Sequence, residues 1–367
     1  MKRKDLKSFL KSKRLIANFF ISLASVIAFY ATDISPESNY LFAFYALTIP
    51  VWLMINVLYL IYWLRVKPVI ALLSLFTLFL GYHHINASLS VSFNLFPHKE
   101  KNAFQVLSYN VRVFNVYPHF QEDQPREIIE WLTSHPAEIK CVQEFYNLSS
   151  DTLFNTIEKI GKKQGYHYHF SKKENIHNEK GYFGTGIFSK YPIIQAGDFP
   201  LDKKEHQKGV FADILINHDT VRIVNIHLQS IYISEEKLWL ENSNLDRNTN
   251  NLLSISRRLK RGFVSRAKQM FFLKDFLEKS PYPLILCGDL NDTPYSYTYQ
   301  QLKHFFYNAF EQAGGGLGFT YRGNIPFLRI DNQFFSEGIR IKQFKTLKNI
   351  PYSDHYPISG EYVIDKK

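Results

Sequence analysis

The sequence of 367 residues has two cysteines, no internal repeat and no low-complexity tract. Cys141 and Cys287 each lie within an apolar run, where a buried free thiol is more common than a disulfide or a metal ligand. The glycine run at 314–323, GGGLGFTYRG, lacks the context of a Walker or Rossmann phosphate loop. These absences argue against a disulfide-stapled scaffold, a repeat array and a P-loop enzyme.

Charged residues are missing from three long apolar stretches, 15–32, 41–64 and 69–85. Each stretch is close to the roughly 20 residues that cross about 30 Å of hydrocarbon. None shows the polar face at 3.6-residue spacing that a helix in a soluble core would have. We therefore predict three transmembrane helices, with Pro50 tolerated inside the second one.

Basic residues indicate the orientation of these helices. Seven lysines and arginines precede the first stretch, and Arg65 and Lys67 lie between the second and third. By the positive-inside bias, the chain is expected to be a multi-pass protein of the inner (cytoplasmic) membrane, with everything after the third helix extracytoplasmic. Two alternatives remain open: a cleaved signal peptide at 1–32, although no convincing cleavage site is seen, and a two-span topology with a cytoplasmic domain.

The chain divides by composition into four parts. We predict a basic cytoplasmic tail at 1–14, transmembrane helices within 15–87, a linker at 88–102 and a catalytic domain at 103–367. Residues 1–102 carry a net charge of +7 out of the total of +11. The basic character therefore belongs mainly to the N-terminal part and is weak evidence for nucleic-acid binding by the domain.

Short apolar strands alternate with amphipathic segments after residue 103. The predicted strands are 104–111, 139–145, 166–171, 184–190, 210–216, 221–228, 284–289, 329–336 and 360–364. The predicted helices are 124–134, 149–164, 263–279 and 296–305. This pattern predicts an α/β (α+β) fold in which two sheets pack together with helices outside.

Polar residues recur within or at the ends of these strands. They are Asn110, Glu144, Asn225, His227, Asp289, Asn291, Asp331, Asp354 and His355. Any one of them is an ordinary turn or cap residue. Residues i and i+2 of a strand share a face, and buried carboxylates are costly unless they are paired or bound to a metal. We expect this set to converge on one site.

These segments resemble the endonuclease/exonuclease/phosphatase superfamily, which includes deoxyribonuclease I-like nucleases, inositol-polyphosphate 5-phosphatases and neutral sphingomyelinases. The resemblance rests on SYNVR, VQE, GTGIFSKYPI, VNIHL, GDLNDTP, RIDNQFFS and SDHYPI, in that order, and covers about residues 103–367. It implies a four-layer α/β sandwich. Together with the apolar N-terminal stretches, it resembles a bacterial membrane-anchored branch of that superfamily.

The resemblance also implies roles for the polar residues. Glu144, with Asn110 and Asp354 nearby, would bind Mg²⁺, with Mn²⁺ as an alternative. Asp289 would position or deprotonate the attacking water, and Asn291 would orient that water or the phosphate. His355, paired with Asp331, would act as a base or as a cation on the phosphate, and His227 would donate to a phosphoryl oxygen.

Two positions depart from the nuclease pattern. Arg112 replaces an acidic residue that is common in repair endonucleases, and Asn332 replaces an aromatic residue after Asp331. The first difference weakens the case for an apurinic-site enzyme. Tyr321 and Arg322 are candidates for contacts with the substrate beyond the phosphate.

We therefore expect a membrane-anchored, divalent-metal-dependent phosphoesterase that acts by in-line attack of water. The substrate class stays open among lipid headgroups, nucleic acid and soluble phosphate esters, and no protein partner is predicted. The alternatives are a catalytically silent membrane-tethered binding module and a DNA endonuclease or exonuclease.

Overall fold

The computed structural model describes residues 13–91, 102–116, 124–171, 173–174, 181–203, 205, 207–231, 248–323 and 325–365. Most of the predicted tail at 1–14 and of the predicted linker at 88–102 lies outside the described residues. The remainder forms an N-terminal group of helices followed by a large α/β domain.

The helices are α1 (Lys13–Ala31), α2 (Pro36–Ala46), α3 (Ile49–Val66), α4 (Pro68–Leu80), α5 (Tyr82–Ser88), α6 (Gln124–Ser134), α7 (Asn248–Glu278), α8 (Tyr297–Lys303) and α9 (Ala309–Ala313). The first strands are β1 (Ser90–Val91), β2 (Phe104–Asn110), β3 (Ile139–Asn147), β4 (His167–Phe170), β5 (Lys173–Glu174), β6 (Tyr182–Ser189), β7 (Ile193–Pro200) and β8 (Lys208–Ile216). The later strands are β9 (Asp219–His227), β10 (Leu284–Asp289), β11 (Tyr307–Asn308), β12 (Gly315–Gly316), β13 (Asp331–Phe335), β14 (Ile339–Thr346) and β15 (Ile358–Ile364).

Two mixed sheets stack face to face within the described domain. Their strand orders are β11-β13-β10-β9-β8-β7 and β14-β15-β2-β3-β6-β4, with β5 also paired to β6. Apolar side chains such as Val106, Ile139, Ile223 and Ile285 fill the space between the sheets. Helix α7 covers the outer face of the first sheet and α6 that of the second. The predicted four-layer sandwich is confirmed.

Each sheet contains one parallel pair, β9 with β10 and β2 with β3. The carboxyl ends of parallel strands meet at the same edge of a sheet, where ligands bind in open α/β folds. Strands β13 and β15 run antiparallel to β10 and β2, so their first residues lie at this edge too. We call this the site edge: the ends of β2, β3, β9 and β10 with the starts of β13 and β15.

Polar side chains join the two sheets deep in the core. The Asn225 amide donates to the carbonyls of Val142 and Gly186 at 3.1 and 2.9 Å, and its oxygen accepts from Gln143 at 2.6 Å. The Asn225 side chain is fully buried. Although the pattern of polar strand residues placed Asn225 among the site candidates, it lies between the sheets and fixes their relative position.

The N-terminal helices differ from the predicted spans in two ways. Helix α3 begins at Ile49, so Pro50 lies in its first turn, where proline's missing N–H costs nothing, and not in the interior of a longer helix. The third predicted span, 69–85, is two helices, α4 and α5, bent by 63°. Helices α1 and α3 are each long and apolar enough to cross a membrane, and α4 with α5 would be a third, broken span.

The surface of this helical group is apolar and its interior contains polar side chains. Phe20, Leu58, Leu72 and Phe79 are exposed, whereas Asn18, which donates to Ser74 at 3.0 Å and accepts from Trp63 at 2.9 Å, is fully buried. Helices that face lipid use this arrangement, because polar groups stabilise helix contacts when no water is present.

Several elements differ from the sequence prediction. The segment 149–164 was expected to be one helix, but only a π-turn (Ile157–Gly161) and a 3₁₀ turn (Lys162–Gln164) form there. Strands β7 and β14 were not predicted. Helix α7 begins fifteen residues before its predicted start at 263. Cys141 and Cys287 are buried free cysteines, as expected.

Replacing Asn225 should destabilise the domain. In Asn225→Ala, two backbone carbonyls and the Gln143 amide lose their buried partner, which should lower the free energy of unfolding by about 2–4 kcal/mol. Thermal unfolding of the detergent-solubilised chain, followed by circular dichroism, measures the change. Lys345→Ala, at an exposed position on β14, is the matched control. An unchanged midpoint for Asn225→Ala would show that this link does not hold the sheets together.

Candidate active site

The predicted polar residues come together at the site edge, and they come from both sheets. Asn110 ends β2 and Glu144 lies in β3, on one sheet, while His227 ends β9 and Asp289 ends β10, on the other. Asp331 begins β13 and pairs in register with Asp289, which also pairs with His227 on its other side. Neighbours in register share a face of the sheet, so Asp289 lies at the centre of the group.

Glu144 owes its position to a β-bulge. The pairing of β3 with β6 shifts between Val142 and Phe145, and Glu144 has φ of +49°. A non-glycine residue in the left-handed region is strained, and such strain recurs at functional sites. The bulge turns a half-buried carboxylate to the site edge from a strand that is otherwise buried.

Asn110 connects the two carboxylates across the sheets. Its Nδ2 donates to Asp289 Oδ2 at 3.0 Å and to Glu144 Oε1 at 3.2 Å. Its Oδ1 accepts from the backbone N–H of Arg112 at 3.0 Å. In this arrangement the Asn110 side chain holds the carboxylates of Asp289 and Glu144 together.

His227 faces both carboxylates without a hydrogen bond to either one. Its Nε2 lies 3.5 Å from Glu144 Oε1 and 3.7 Å from Asp289 Oδ2. This nitrogen is buried and has no hydrogen-bond partner among the described residues. Because buried polar atoms are almost always paired, His227 Nε2 is suited to contact a bound group.

Asp289 is almost completely buried, and its pKa is higher than that of an exposed aspartate. Its pKa is raised to about 6, because burial, followed by the nearby Asp331, raises it by more than His355 and His227 lower it. The backbone N–H of Asn291 donates to Asp289 Oδ1 at 2.8 Å, and Asn291 has φ of +51°. A carboxylate with a pKa near neutrality is suited to take a proton from water.

His355 and Asp331 form a buried pair at the site edge. His355 Nδ1 lies 2.8 Å from Asp331 Oδ2, and His355 Nε2 lies 3.7 Å from Asp289 Oδ2. Burial acts to lower the pKa of His355, but Asp331, Asp289 and Asp354 outweigh it and raise that pKa well above its usual value. These carboxylates therefore favour the protonated imidazole, whose Nε2 faces Asp289 and Asp354.

Asp354 stands at the exposed side of the group. Its Oδ1 lies 4.0 Å from His355 Nε2, and its Oδ2 lies 3.5 Å from Arg112 Nε. Arg112 begins a turn in which four successive non-glycine residues have φ between +46° and +54°. The sequence showed Arg112 only as a departure from a nuclease pattern, and nothing in it indicated this left-handed turn or the contact with Asp354.

Tyr321 and Arg322, the two predicted substrate contacts, flank His355. Tyr321 forms an isolated β-bridge with His355, and their rings pack edge to face with centroids 5.3 Å apart. The Arg322 backbone N–H donates to the Asp354 carbonyl at 2.8 Å, and its guanidinium donates to the Pro351 carbonyl. Both residues therefore lie at the mouth of the site.

Two residues that position the site residues were not identified from the sequence. Thr320 Oγ1 accepts from the backbone N–H groups of Ile330 and Asp331, each at 3.1 Å, which fixes the start of β13. Ser353 Oγ donates to the Asn110 carbonyl at 2.9 Å and so ties the Asp354–His355 turn to the end of β2. Threonine and serine in loops are too common for sequence alone to single them out.

The donor set fits a hard divalent cation. Glu144 and Asp354 offer carboxylate oxygens that are partly exposed, and Asp289 adds a third carboxylate bonded to the same amide as Glu144. Ligand atoms of Asp289, Asp331 and His355 also lie within 4.8 Å of one another, but His355 Nδ1 and Asp331 Oδ2 are already bonded to each other. Oxygen-rich, partly hydrated sites of this kind suit Mg²⁺ or Mn²⁺.

Solved structures share this fold. The human Nocturnin catalytic domain with bound sulfate is 16% identical, with a TM-score of 0.53, over 75% of this chain and 96% of that one. A Bacteroides thetaiotaomicron endonuclease/exonuclease/phosphatase family protein is 18% identical, with a TM-score of 0.52, over 73% and 100%. The mannosyl-6-phosphatase of Bacteroides thetaiotaomicron VPI-5482 is 17% identical, with a TM-score of 0.51, over 71% and 100%. At these identities the likeness concerns the fold alone.

Family models match both parts of the chain. Residues 7–88 match a model described as a domain of unknown function, DUF8431. Among curated proteins, none matches the chain. Residues 107–355 match the model of the endonuclease/exonuclease/phosphatase family, whose members hydrolyse phosphate esters. This match covers most of the chain, and with the sandwich and its polar edge it shows that the protein belongs to the endonuclease/exonuclease/phosphatase family.

Proposed function

We propose that this protein is a membrane-anchored, divalent-metal-dependent phosphoesterase whose catalytic domain is extracytoplasmic. The observation that carries the proposal is the convergence of carboxylate, amide and imidazole groups from both sheets around Asp289. A catalytically silent binding module would not need these groups kept together, since burying them is costly.

Glu144, Asn110 and Asp354 would hold the cation. When bound, Mg²⁺ or Mn²⁺ would neutralise charge on the phosphoryl oxygens and assist the leaving oxygen. Glu144 and Asp354 are reachable from solvent, so a hydrated ion can enter, and the Asn110 amide keeps Glu144 beside Asp289.

The remaining groups would accept the proton of the water and stabilise charge on the phosphoryl group. Asp289, whose pKa burial raises to about 6, would accept the proton of the attacking water, while Asn291 would orient the water or the phosphate. His355, kept cationic by Asp331, would stabilise negative charge on the phosphoryl group, and His227 would donate to a second phosphoryl oxygen.

The helical group supports the predicted topology. Lys13 and Arg14 lie in the first turn of α1, Arg65 lies in the last turn of α3, and Lys67 follows α3. These charges are therefore at the same end of the helical group, where the Arg14 guanidinium donates to the Tyr62 hydroxyl. The opposite ends of α1 and α3 lie near α5, which leads into the domain. With the basic end in the cytoplasm, a third crossing by α4 and α5 would leave the domain outside.

A DNA endonuclease or exonuclease is the second candidate, favoured only by family membership. Arg112, which occupies the position that is acidic in repair endonucleases, is engaged with Asp354 instead of facing outward. The small net charge of residues 103–367 gives little of the phosphate-neutralising surface that DNA binding needs.

Substitution of the central carboxylate or the imidazole should abolish hydrolysis. In Asp289→Asn or His355→Gln, turnover of bis(p-nitrophenyl) phosphate by the detergent-solubilised full chain should fall by at least about a hundredfold. Unchanged circular dichroism spectra would establish that the fold is intact, and Lys345→Ala serves as the control. Full activity in either variant would defeat the proposed roles.

Removal of the metal should have the same effect, and it should be reversible. Chelation by EDTA should eliminate hydrolysis, and Mg²⁺ or Mn²⁺ should restore it. Glu144→Gln should raise the cation concentration needed for half-maximal activity by about tenfold or more, because a charged ligand is lost. Activity that survives exhaustive chelation would exclude the metal-dependent mechanism.

Reporter fusions should establish the topology. Alkaline phosphatase fused after residue 100 is expected to be active in a bacterial host, because that enzyme folds only outside the cytoplasm, and a fusion after residue 66 is expected to be inactive. An inactive fusion at residue 100 would place the domain in the cytoplasm and support two crossings.

A further inference from the structure

Two segments that adjoin the site edge contact α5. The Tyr295 hydroxyl is hydrogen-bonded to Ser88 Oγ, at the end of α5. Tyr295 follows Asp289 by six residues, a separation of at most about 21 Å even if the chain were fully extended. This contact therefore connects the segment that follows the central carboxylate to the helix through which the chain leaves the apolar region.

A second contact ties the other half of the site to the same helix. Arg329 is buried, and its Nη2 donates to the Ala87 carbonyl of α5 at 2.7 Å. Arg329 precedes Asp331, the partner of His355, by two residues. Strand β1, directly after α5, also pairs with β12 through Ser90 and Gly316. The first sheet and α5 are thus joined next to the residue that begins β13, Asp331.

An exposed apolar loop lies between these contacts and the catalytic imidazole. The N–H groups of Thr320 and Tyr321 both donate to the Leu328 carbonyl, which closes the base of the loop beside His355. Ile325 is 46% exposed and Phe327 is 73% exposed. Phe327 also has φ of +66°, which is unusual for a bulky residue.

Further exposed apolar residues lie next to α5. Leu89 follows α5, Val91 ends β1, and Leu317 follows β12, which pairs with β1. Exposed apolar side chains in the loop and beside α5 fit the interfacial layer of a bilayer better than they fit bulk water. Because the helices come from the same chain, the bilayer that would cover this surface is the one that they span.

We propose that the substrate is a phosphate ester carried by a lipid of this bilayer, which enters from the headgroup layer past Phe327 and Ile325. This inference rests on the proposed phosphoesterase function and names its substrate class. The acyl or other apolar part of the lipid stays in the membrane while the phosphate reaches His355, His227 and Asp289. Water supplies the new P–O bond, one P–O ester bond breaks, and the leaving alkoxide takes up a proton.

The activity test compares a lipid with a soluble ester on the full chain. The probes are vesicles of phosphatidylethanolamine, phosphatidylglycerol and phosphatidic acid containing the reconstituted protein, and bis(p-nitrophenyl) phosphate in solution. Phe327→Ser should lower lipid hydrolysis, followed by phosphorus NMR, by about tenfold or more because the loop loses its apolar anchor. The same variant should leave turnover of the soluble ester unchanged. Phe271→Ser is the matched control, since Phe271 is also 73% exposed but lies on α7.

The outcomes separate the two proposals. If the unmodified protein hydrolyses neither the vesicle lipids nor the soluble ester, the phosphoesterase function itself is contradicted. Hydrolysis of the soluble ester without hydrolysis of any vesicle lipid, or equal lipid hydrolysis in Phe327→Ser and the unmodified chain, overturns the lipid assignment alone.

A location test needs no activity. Cys141 and Cys287 are fully buried, so a fluorophore attaches selectively to Phe327→Cys or Phe271→Cys. Lipids brominated on their chains should quench the label at position 327 several times more strongly than the label at 271. Equal or absent quenching at 327 would show that the mouth of the site does not touch the bilayer.

Discussion

The site depends on one electrostatic constraint: the carboxylate of Asp289 is buried between two sheets and must be compensated from both sides. Asn110 donates to it from the end of β2 in the other sheet, and the Nε2 atoms of His227 and His355 each lie 3.7 Å from its Oδ2. Burial raises its pKa to about 6 while the imidazoles oppose that rise, so the carboxylate keeps a proton affinity above that of an exposed aspartate. The same constraint explains why the sheets are cross-linked by Asn225 close to this edge, since small shifts would separate the groups that compensate the charge.

Sequence reasoning predicted the fold, and it selected most of the polar residues that the structure brings together, because strands and the polar residues at their ends leave local signals. Apolar strands that end in Asp289 or Asn110 can be read directly, and six such segments together point to a shared edge. It failed where position depends on distant partners. The bulge at Glu144, the left-handed turn after Asn110 and the buried role of Asn225 arise from pairing between strands far apart in the chain.

The apolar N-terminal helices also differ between what the sequence predicts and what depends on local structure. Lack of charge identified the apolar stretches, but helix boundaries depended on proline and glycine. Pro50 falls in the first turn of α3, and α4 ends before Gly81, where a Cβ would come within 2.7 Å of the Phe29 ring. After the bend at Gly81, α5 contacts the domain, and its Ala87 carbonyl accepts a hydrogen bond from Arg329.

The hydrogen bond from Arg329 to the Ala87 carbonyl joins the domain to the N-terminal helices. Composition suggests a boundary near residue 102, yet the Arg329 guanidinium is buried with a carbonyl of α5 among its acceptors, and Asn86 donates to Glu311 across the same junction. In a soluble fragment cut at that boundary, the Arg329 guanidinium would lose its contact with α5 and become exposed. Arg329 lies two residues before the start of the strand that begins with Asp331, so the order of that strand would be affected. The helical group and the domain therefore share buried contacts, and separating them by proteolysis would also disturb the strand that carries Asp331.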